Sequence, residues 1–415
     1  MKNLTTNFDI IVVGGGASGM MAAGRAAELG KKVLLLEKNP KLGAKLKITG
    51  GGRCNITNAE ADIHKLLAFY GKAASFLYSP FSKFNNQDTF TFFEKLNLPI
   101  VVQARQRAFP KTEKALDVFK ALETYITNGG VTVLTDTKVS RIIKEGSRIT
   151  SVIAGGTTYT AASYIIATGG LSHPETGSTG DGFNWLKALG HNVADPTPAI
   201  VPLATKEAWS HTLSGVSLTF MKITFFVDEV KKFSKTGKVL FTHFGLSGPL
   251  ILNSAKAVGD LLHEGVVTAR IDAYPDTNHG ALEDKIIAVF DANKNKMIKN
   301  IINEIVPEGF SSAIWQLVPS IDPDTKVHSV TKVERKALVN ILKALPLTIT
   351  GLMGYDRAVV ADGGIPLTEI DSRTMRSNIL ENLFVTGDLL HVNRPSGGFS
   401  LQLCWTTGFV AGSNA

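Results

Sequence analysis

The sequence predicts an α/β protein whose main domain, built on a largely parallel sheet, is divided by an inserted domain. A strand–helix–strand pattern occupies residues 9–38. The composition changes after the proline-rich stretch Asp195–Leu203, and a strand–turn–helix pattern returns in residues 353–415. Similar α/β patterns at both ends of the chain, with a different pattern between them, are expected when an insertion interrupts one domain.

The first unit of this domain is a βαβ unit. Ile10–Val13 is a short β-branched run, typical of a buried parallel strand. Ala17–Leu29 is rich in Ala, Met and Leu and predicts a helix that Gly30 ends. Val33–Leu36 predicts the second strand, and the three elements together have the length of a βαβ unit.

A glycine motif joins the first strand to the helix. Gly14 allows the tight turn, Gly16 lets a pyrophosphate approach the backbone, and Gly19 lets the helix pack closely on the strand. The helix N-terminus offers free N–H groups to phosphates, and Glu37 would accept hydrogen bonds from an adenosine ribose. The motif predicts an adenine dinucleotide, with contacts from Gly14, Gly16, Ala17, Ser18, Gly19, Glu37 and Lys38.

A second glycine loop, in Thr49–Asn58, favours FAD over NAD. FAD is the longer molecule, and its flavin half must be held by something beyond the first βαβ unit. Lys45 and Arg53 would neutralise the pyrophosphate or lie near the flavin, whereas the alternative is a mobile surface loop. The predicted FAD contacts here are Lys45, Thr49, Gly50, Gly51, Arg53, Cys54 and Asn55.

The other elements are predicted in chain order. In residues 1–195 we expect a mostly helical segment from 63 to 98, a helix at Lys114–Asn128, strands at Val131–Leu134 and Ser163–Ala167, and a helix capped by Asp181. Beyond them we expect antiparallel strands at Leu218–Val227, Val239–His243 and Val266–Ala273, a helical region from Ala281 to about Leu345, and strands near Thr348–Ile349 and Arg357–Ala361.

Composition limits the class of protein. Hydrophobic residues make up 44% of the 415 residues, and the formal net charge is +8. We interpret the lysines and arginines as spread along the chain, so a solvated basic surface is expected and a nucleic-acid partner is not. Two cysteines exclude a disulfide framework and a CxxC metal site. No signal-peptide pattern or long apolar run is present, so we expect no membrane partner, no metal and a cytoplasmic location.

Four sequence blocks resemble those of the BaiN-like flavoproteins, also described as aminoacetone-oxidase-type FAD-binding oxidoreductases. They are GGGASGMMAA…LLLEKNPKLGAKLKITGGGRCNITN, Glu175–His191, Phe241–Pro249 and Gly387–Gly412. The resemblance implies a Rossmann-like FAD-binding domain in two pieces, residues 1–195 and 353–415. It implies an inserted substrate domain at 196–352, β-barrel-like at 196–275 and about 346–352, with a helical subdomain at about 276–345.

The resemblance also implies further FAD contacts. The backbone of Val139 would meet the adenine, Gly387 and Asp388 the ribityl chain, and the helix after Gly398 the flavin pyrimidine. A helix N-terminus there would favour the negative charge of a reduced flavin. The contacts implied by the resemblance are Val139, Ala167, Thr168, Gly169, Gly387, Asp388, Gly397, Gly398, Phe399, Leu401 and Gln402.

Three residues are candidates for proton donation or anion binding. His173 follows the Ala167–Gly170 turn, and His391 and Arg394 precede the flavin-facing glycines. His173 and the segment that carries His391 and Arg394 depart from what the family usually has, so the substrate class is not transferred. For His173 the alternative is an ordinary loop histidine.

Three functions are compatible with the sequence. The first is an FAD-dependent reductase that transfers hydride from NAD(P)H to an activated double bond of a small molecule. The second is an oxidase of a small amine or amino-ketone that uses oxygen. The third is a non-catalytic or RNA-associated flavoprotein. No second GxGxxG motif follows residue 190, so a nicotinamide donor would enter the substrate cavity directly.

Overall fold

A computed structural model describes residues 7–415 of the chain. The strands are β1 (Asn7–Val13), β2 (Val33–Leu36), β3 (Thr57–Asn58), β4 (Ile100–Gln103), β5 (Arg107–Pro110), β6 (Thr132–Leu134), β7 (Val139–Glu145), β8 (Arg148–Ala154), β9 (Thr157–Ile166), β10 (Ala194–Ala199), β11 (Leu203–Thr205), β12 (Ser217–Val227), β13 (Val230–Thr242), β14 (Gly245–Ser247), β15 (Val267–Asp272), β16 (Leu345–Leu352), β17 (Val360–Gly364) and β18 (Leu383–Val385). The helices are α1 (Ala17–Glu28), α2 (Ala44–Ile48), α3 (Ile63–Ala68), α4 (Ala74–Lys83), α5 (Asn86–Lys95), α6 (Ala115–Asn128), α7 (Asp181–Leu189), α8 (Ala208–Thr212), α9 (Pro249–Leu252), α10 (Ala255–Leu262), α11 (His279–Ala292), α12 (Ser311–Leu317), α13 (Lys332–Lys343) and α14 (Phe399–Asn414).

The chain forms two compact units. Unit 1 contains the residues up to Pro198 together with Ala358–Ala415, and unit 2 contains Ala199–Arg357. The boundaries expected from the sequence, after residues 195 and 352, lie three and five residues away from these divisions. The α/β fold class is confirmed.

Unit 1 is built on a parallel sheet with the strand order β6-β2-β1-β9, and β18 lies beside β9. Its central strands are apolar and fully buried, as expected where helices cover both faces. The strand from the C-terminal segment, β18, pairs in parallel with β9 through Leu383–Val385. The two sequence pieces of unit 1 therefore share one sheet.

Close contact between α1 and α14 joins the same two pieces. A Cβ on Gly408 would lie 2.5 Å from the carbonyl oxygen of Ser18, and one on Gly412 would lie 2.3 Å from that of Ala22. Both distances are far below van der Waals contact, so only glycine permits this helix spacing. Ser18 lies opposite Gly408 and Ala22 opposite Gly412, so the two helices run in the same direction.

Unit 2 contains a closed antiparallel barrel with the strand order β11-β14-β13-β12-β15-β16, closed by the pairing of β11 with β16. Helices α11–α13 lie in the chain between β15 and β16, which are neighbours in the barrel. An aromatic cluster of Trp209, Phe241 and Phe310 packs inside this unit, with ring centroids 5.7–6.0 Å apart.

Several elements differ from the sequence prediction. The segment 63–98 is helical as expected, but it is flanked by the small antiparallel sheet β3-β5-β4, which the sequence did not predict. The sequence analysis also did not predict the hairpin of β7 and β8. Strand β13 begins at Val230 and not at the predicted Val239. The prediction omitted its first half because that lysine-rich stretch lacks the apolar pattern of a strand. Asp181 does not cap α7, because it is the first helical residue and its carboxylate binds Lys38 at 2.8 Å.

A buried hydrogen-bonded chain fixes the segment before β18. His191 Nδ1 lies 2.7 Å from Glu369 Oε2, and its Nε2 lies 2.9 Å from Ser377 Oγ. The backbone N–H groups of Ile379 and Leu380 donate to the same Ser377 oxygen, at 3.0 and 2.9 Å. Burial lowers the pKa of His191 below its ordinary value, although Glu369 acts in the opposite direction. The side chain is therefore neutral in the folded protein near neutral pH.

The neutral His191 makes unit 1 less stable in mild acid. As the pH falls below 6.5, the histidine of the unfolded chain takes up a proton before the buried one does, so the free energy of unfolding decreases. One group contributes at most about 1.4 kcal/mol per pH unit. Urea unfolding of the wild type and of His191→Gln between pH 7.5 and 5.5 measures the effect. The free energy of unfolding of the variant should change less with pH in this range than that of the wild type. Identical slopes of unfolding free energy against pH would contradict the conclusion that His191 is neutral in the folded protein.

Candidate functional site

The candidate site lies at the carboxyl ends of the parallel strands of unit 1. The glycine turn follows β1, Glu37 follows β2, the Ala167–Gly170 turn follows β9, and Gly387 follows β18. In open α/β sheets, ligands bind outside the carboxyl ends of the strands. Topology thus brings four of the predicted contact regions to one edge of the sheet.

Glu37 lines a cavity at the carboxyl ends of β1 and β2. Its Oε2 accepts a hydrogen bond from the N–H of Gly15 at 2.8 Å, and its Oε1 accepts one from the N–H of Asn39 at 2.8 Å. These bonds fix the carboxylate while leaving further lone pairs for a sugar hydroxyl. Gly15 was not among the predicted contacts. A Cβ there would lie 2.3 Å from the Leu42 side chain, so the triple glycine is required sterically as well.

The same cavity contains predicted and unpredicted residues. The predicted lining residues are Gly14, Glu37, Lys38, Val139 and Thr168. Thr137, Lys138, Gly177, Thr179, Asp181 and Trp185 also line it. Of these, Gly177 to Trp185 belong to a block whose resemblance to the family was noted, but no local motif in that block indicates a ligand contact. Lys38 is not free to bind phosphate, because it pairs with Asp181 at 2.8 Å and Thr179 at 2.5 Å.

The Thr49–Gly52 loop has an unusual backbone. Gly50, Gly51 and Gly52 all have left-handed φ values, of 59°, 67° and 85°. A Cβ on Gly51 or Gly52 would meet nothing within 4 Å, so these residues border open space. Loops of this kind expose backbone N–H groups and form concavities that bind anions. The loop therefore has the conformation expected of a cofactor contact.

Three predicted contacts have buried polar atoms without a hydrogen-bond partner. They are Arg53 Nε, Asn55 Oδ1 and Thr168 Oγ1. Buried polar atoms are nearly always paired in folded proteins, so each of these atoms is available to a ligand or an ordered water molecule, as are Trp209 Nε1 and Thr268 Oγ1 in unit 2. Arg53 Nη2 donates to Glu113 Oε1 at 2.5 Å and to Gln103 Oε1 at 2.8 Å.

Asp388 lies between two cations. Its Oδ1 accepts a hydrogen bond from Arg394, and Lys45 Nζ lies 3.3 Å from its Oδ2. Lys45 also donates to Ser172 Oγ at 3.0 Å. Burial alone would raise the pKa of Asp388, but the charges and hydrogen bonds of Arg394 and Lys45 hold it below the ordinary value. Asp388 is therefore an ionised acceptor, which suits a ribityl hydroxyl.

Arg394 occupies a buried position instead of an open cavity. Its guanidinium donates to the carbonyl of Val392 at 2.7 Å, to Ser400 Oγ at 3.1 Å and to Asp388. Only 2% of its side chain is exposed. In this conformation the residue positions Asp388 and has no surface for a substrate, so its predicted substrate contact would require rearrangement.

The N-terminus of α14 carries the last group of predicted contacts. Gly397 and Gly398 form the turn before the helix, and a Cβ on Gly398 would lie 2.3 Å from the backbone of Thr57. Gln402 turns away from this end: its Oε1 accepts from Thr57 Oγ1 at 2.6 Å and Thr89 Oγ1 at 2.9 Å. Its side chain is satisfied inside the protein, so a cofactor would meet the helix backbone there.

The two histidine candidates lie on different loops of unit 1. His173 Nδ1 is 2.8 Å from Glu175 Oε1, and the residue follows Ser172, which Lys45 links to Asp388. His391 is 42% exposed, and its Nε2 lies 3.5 Å from Asp362 Oδ1. Both histidines adjoin the Asp388 cluster along the chain: His173 follows Ser172, which Lys45 links to Asp388, and His391 lies three residues after Asp388.

The two cysteines have no thiolate character. Burial raises the pKa of Cys54 and of Cys404 to about 12 each. Thiolate is the reactive form of cysteine. Neither residue is a nucleophile or redox thiol near neutral pH.

Comparison with known proteins decides the family. Residues 8–414 match the family described as HI0933-like protein Rossmann domain. The chain belongs to this family. As a member of this family, the protein is an FAD-dependent oxidoreductase. The cofactor and the family expected from the motifs are therefore confirmed.

Two curated relatives span nearly the whole chain. The 3-dehydro-bile acid delta(4,6)-reductase of Clostridium scindens is 27% identical over 97% of this chain and 98% of its own length. The ribosomal RNA dihydrouridine synthase of Haemophilus influenzae is 28% identical over 96% of both. The structure of 3-ketosteroid-delta4-(5alpha)-dehydrogenase from Rhodococcus jostii shares the fold, with a TM-score of 0.54 and 14% identity over 98% of this chain and 96% of that one.

The residues of the site fit FAD. The left-handed glycine loop and the open space at Gly16 are on predicted contacts, and so are the unpaired atoms of Arg53, Asn55 and Thr168. We propose that Glu37 and Val139 hold the adenosine, Gly16 and the 49–55 loop the pyrophosphate region, and Asp388 and the N-terminus of α14 the flavin half. Within residues 7–415, no helix has the length and apolar character needed to cross a bilayer.

Substitutions at Gly16 and Gly14 should separate cofactor binding from folding. A Cβ on Gly16 meets no protein atom within 4 Å, so Gly16→Ala should leave the melting temperature of the apoprotein unchanged. It should weaken FAD binding by about tenfold or more, equivalent to about 1.4 kcal/mol, because the methyl group occupies the approach of the pyrophosphate.

Gly14→Ala is the matched comparison. Its Cβ would lie 2.6 Å from the carbonyl oxygen of Ala167 at a φ of +107°, so this variant should lower the melting temperature. Thermal unfolding of the apoproteins and FAD titration measure both effects. Unchanged FAD affinity in Gly16→Ala would contradict the assignment.

The charge cluster gives a second contrast. Asp388→Asn leaves Arg394 buried beside Lys45 without a negative charge and should cost about 3 kcal/mol of unfolding free energy. Asp181→Asn removes a carboxylate from a partly exposed pair with Lys38 and should cost less than about 1 kcal/mol. Urea unfolding of the apoproteins tests whether Asp388→Asn lowers the unfolding free energy more than Asp181→Asn does. Equal decreases would show that the buried Asp388 cluster contributes no more to stability than the Lys38–Asp181 pair.

Proposed function

We propose that this flavoprotein reduces a carbon–carbon double bond conjugated to a carbonyl group, with NAD(P)H as the electron donor. The observation that carries the proposal is the chemistry shared by two relatives that match almost the whole chain. One is named as a delta(4,6)-reductase of a 3-dehydro-bile acid and the other as a dihydrouridine synthase. A 3-oxo dienic ring and a uracil ring are unlike in shape, but each has a C=C bond conjugated to C=O.

The proposed reaction balances with one nicotinamide. NAD(P)H and one proton are consumed, the carbon β to the carbonyl gains a hydride, the α-carbon gains a proton, and NAD(P)⁺ is released. FAD, when bound, supplies hydride transfer at its N5 position. The polypeptide must therefore hold the cofactor and provide the proton.

Fixed charges and dipoles of unit 1 support this role. The N-terminal end of α14 carries a partial positive charge, which favours negative charge on the ligand beside it. The Asp388 cluster contributes two cations, Lys45 and Arg394, against one carboxylate. A reduced and negatively charged flavin would be stabilised by both.

We propose His173 as the proton donor or the residue that binds the substrate carbonyl. Its Nδ1 is fixed by Glu175, and Ser172 beside it is linked by Lys45 to Asp388. A carboxylate on one ring nitrogen fixes the tautomer and leaves the other nitrogen for the substrate. The exposed His391 is the alternative donor.

Anaerobic stopped-flow spectroscopy tests the reductase. NADPH or NADH should bleach the 450 nm band of the bound flavin, and a cyclic enone or uridine should restore it without oxygen. His173→Gln should slow the restoration by about tenfold to a thousandfold while leaving the bleaching unchanged, because only the second step needs the proton. His391→Gln is the matched control.

The alternative oxidase predicts a different pattern. The flavin would be bleached by a small amine or amino-ketone, and air would restore it with release of peroxide. Bleaching only by the amine would contradict the proposed reductase. An unchanged restoration rate in His173→Gln, or an equal slowing of restoration by both histidine substitutions, would contradict the role of His173.

A further inference from the structure

The net positive charge of the chain is concentrated in one segment. Residues 38–120 contain 14 of the 44 lysines and arginines but only 6 of the 36 acidic residues, which leaves 30 of each elsewhere. The whole excess of +8 therefore lies in these 83 residues. This count corrects our interpretation that the cations are spread along the chain.

Most of these cations are not used inside the protein. Only Lys38, Lys45 and Arg53 form ion pairs with a carboxylate, and the other eleven have no such partner among the described residues. Lys65, Lys72 and Arg105 are exposed. Unpaired exposed charges of one sign attract a polyanion and repel each other without one.

Exposed aromatic rings lie among these charges. Tyr78 is 53% exposed, and its ring stacks on His64 with centroids 5.9 Å apart. Phe69 is 49% exposed, and its inner side packs on Phe399 at 4.7 Å. Each ring is fixed by an aromatic neighbour while much of its surface remains open to a stacking partner.

An arginine loop completes the surface. Arg105 and Gln106 both have left-handed φ values, of 63° and 56°. Each such residue costs about 1 kcal/mol or more, so the loop must be held by its surroundings. Arg107 Nε donates to the carbonyl of Ala104 at 3.1 Å, and its guanidinium lies 5.8 Å from the Phe109 ring. The loop presents two arginines in a fixed conformation.

Hydrogen bonds connect this loop to the flavin-facing turn. Asn58 Nδ2 lies 3.4 Å from the carbonyl oxygen of Arg105 and 3.3 Å from that of Gly397. Phe399, two residues after Gly397, carries the contact with Phe69. The arginine loop, the turn before α14 and the exposed phenylalanine thus form one continuous series of contacts.

We propose that this basic face, formed by Lys65, Lys72, Arg105 and Arg107 with Phe69 and Tyr78, binds single-stranded nucleic acid. The cations would contact phosphates, and the rings would stack on unpaired bases, the combination that single-strand binding proteins use. Because the face adjoins the turn before α14, a bound strand would bring a pyrimidine base to the flavin. That last step rests on the proposed reductase, whereas the binding does not.

Fluorescence anisotropy with the FAD-loaded protein tests the binding. The probes are a labelled U-rich RNA 20-mer, the matching dT-rich DNA and the duplex of each, titrated between 50 and 300 mM salt. The single strands should bind more tightly than the duplexes. The difference in affinity between the RNA and the DNA 20-mer shows which of the two nucleic acids the face prefers. Arg105→Gln/Arg107→Gln should lower the slope of log K against log salt by about 1.4, because each lost phosphate contact contributes about 0.7.

Matched variants separate the charges from the rings. Lys231→Gln/Lys238→Gln removes two exposed lysines of unit 2 and should leave the slope unchanged. Tyr78→Ala should weaken binding about tenfold at an unchanged slope, and Tyr78→Phe should restore it.

Three outcomes would overturn the proposal. They are no binding of the single strands at 50 mM salt, an equal decrease of the salt slope in Lys231→Gln/Lys238→Gln, or binding to phosphatidylserine vesicles as tight as binding to the single strands. The last outcome would identify a membrane surface instead. Bleaching of the wild-type flavin by NADPH, measured on the same preparation, reports separately on the proposed reductase.

Discussion

The close packing of α1 on α14 is the contact on which the rest of unit 1 depends. Gly408 and Gly412 let α14 approach the backbone of Ser18 and Ala22, so helices almost 400 residues apart in the chain become neighbours. The helices run in the same direction. Because Gly408 lies opposite Ser18, the N-terminus of α14 extends about eight residues, or about 12 Å, beyond that of α1. One rigid contact thus sets the distance between the N-terminus of α1, where we propose that the pyrophosphate binds, and the N-terminus of α14, where we propose that the flavin binds.

Electrostatics divides this site into two parts. Around Glu37, neutral backbone N–H groups hold a single carboxylate, a suitable arrangement for recognising sugar hydroxyls. Around Asp388, two cations outnumber one carboxylate, which suits a ligand that becomes more negative when it is reduced. Buried cysteines with a pKa of about 12 add no competing redox group. The polypeptide therefore contributes position and charge, and the cofactor contributes the electron chemistry.

The relatives show how broad the substrates of one scaffold are. A bile-acid reductase and a ribosomal RNA dihydrouridine synthase match this chain about equally well and over nearly its full length. FAD binding by itself cannot discriminate between such substrates, because discrimination requires contacts with the substrate. In this chain we propose that the basic face supplies such contacts, and Asn58 connects its Arg105 to the turn before α14.

The sequence by itself determined the α/β class, the βαβ unit with its glycines and terminal acid, and the choice of FAD, because these depend on local backbone conformation and short spacing. It also located Asp388 and the glycines before α14. Only the tertiary structure decided that Arg394 is buried against Asp388 and that Gln402 points into a threonine cluster. It also decided that Gly15 donates to Glu37 and that Trp185 lines the cavity beside Glu37. These outcomes depend on which distant side chains meet, and neither periodicity nor motif spacing encodes such contacts. The clustering of charge could have been counted from the sequence, but the contacts that connect it to the turn before α14 arise from folding alone.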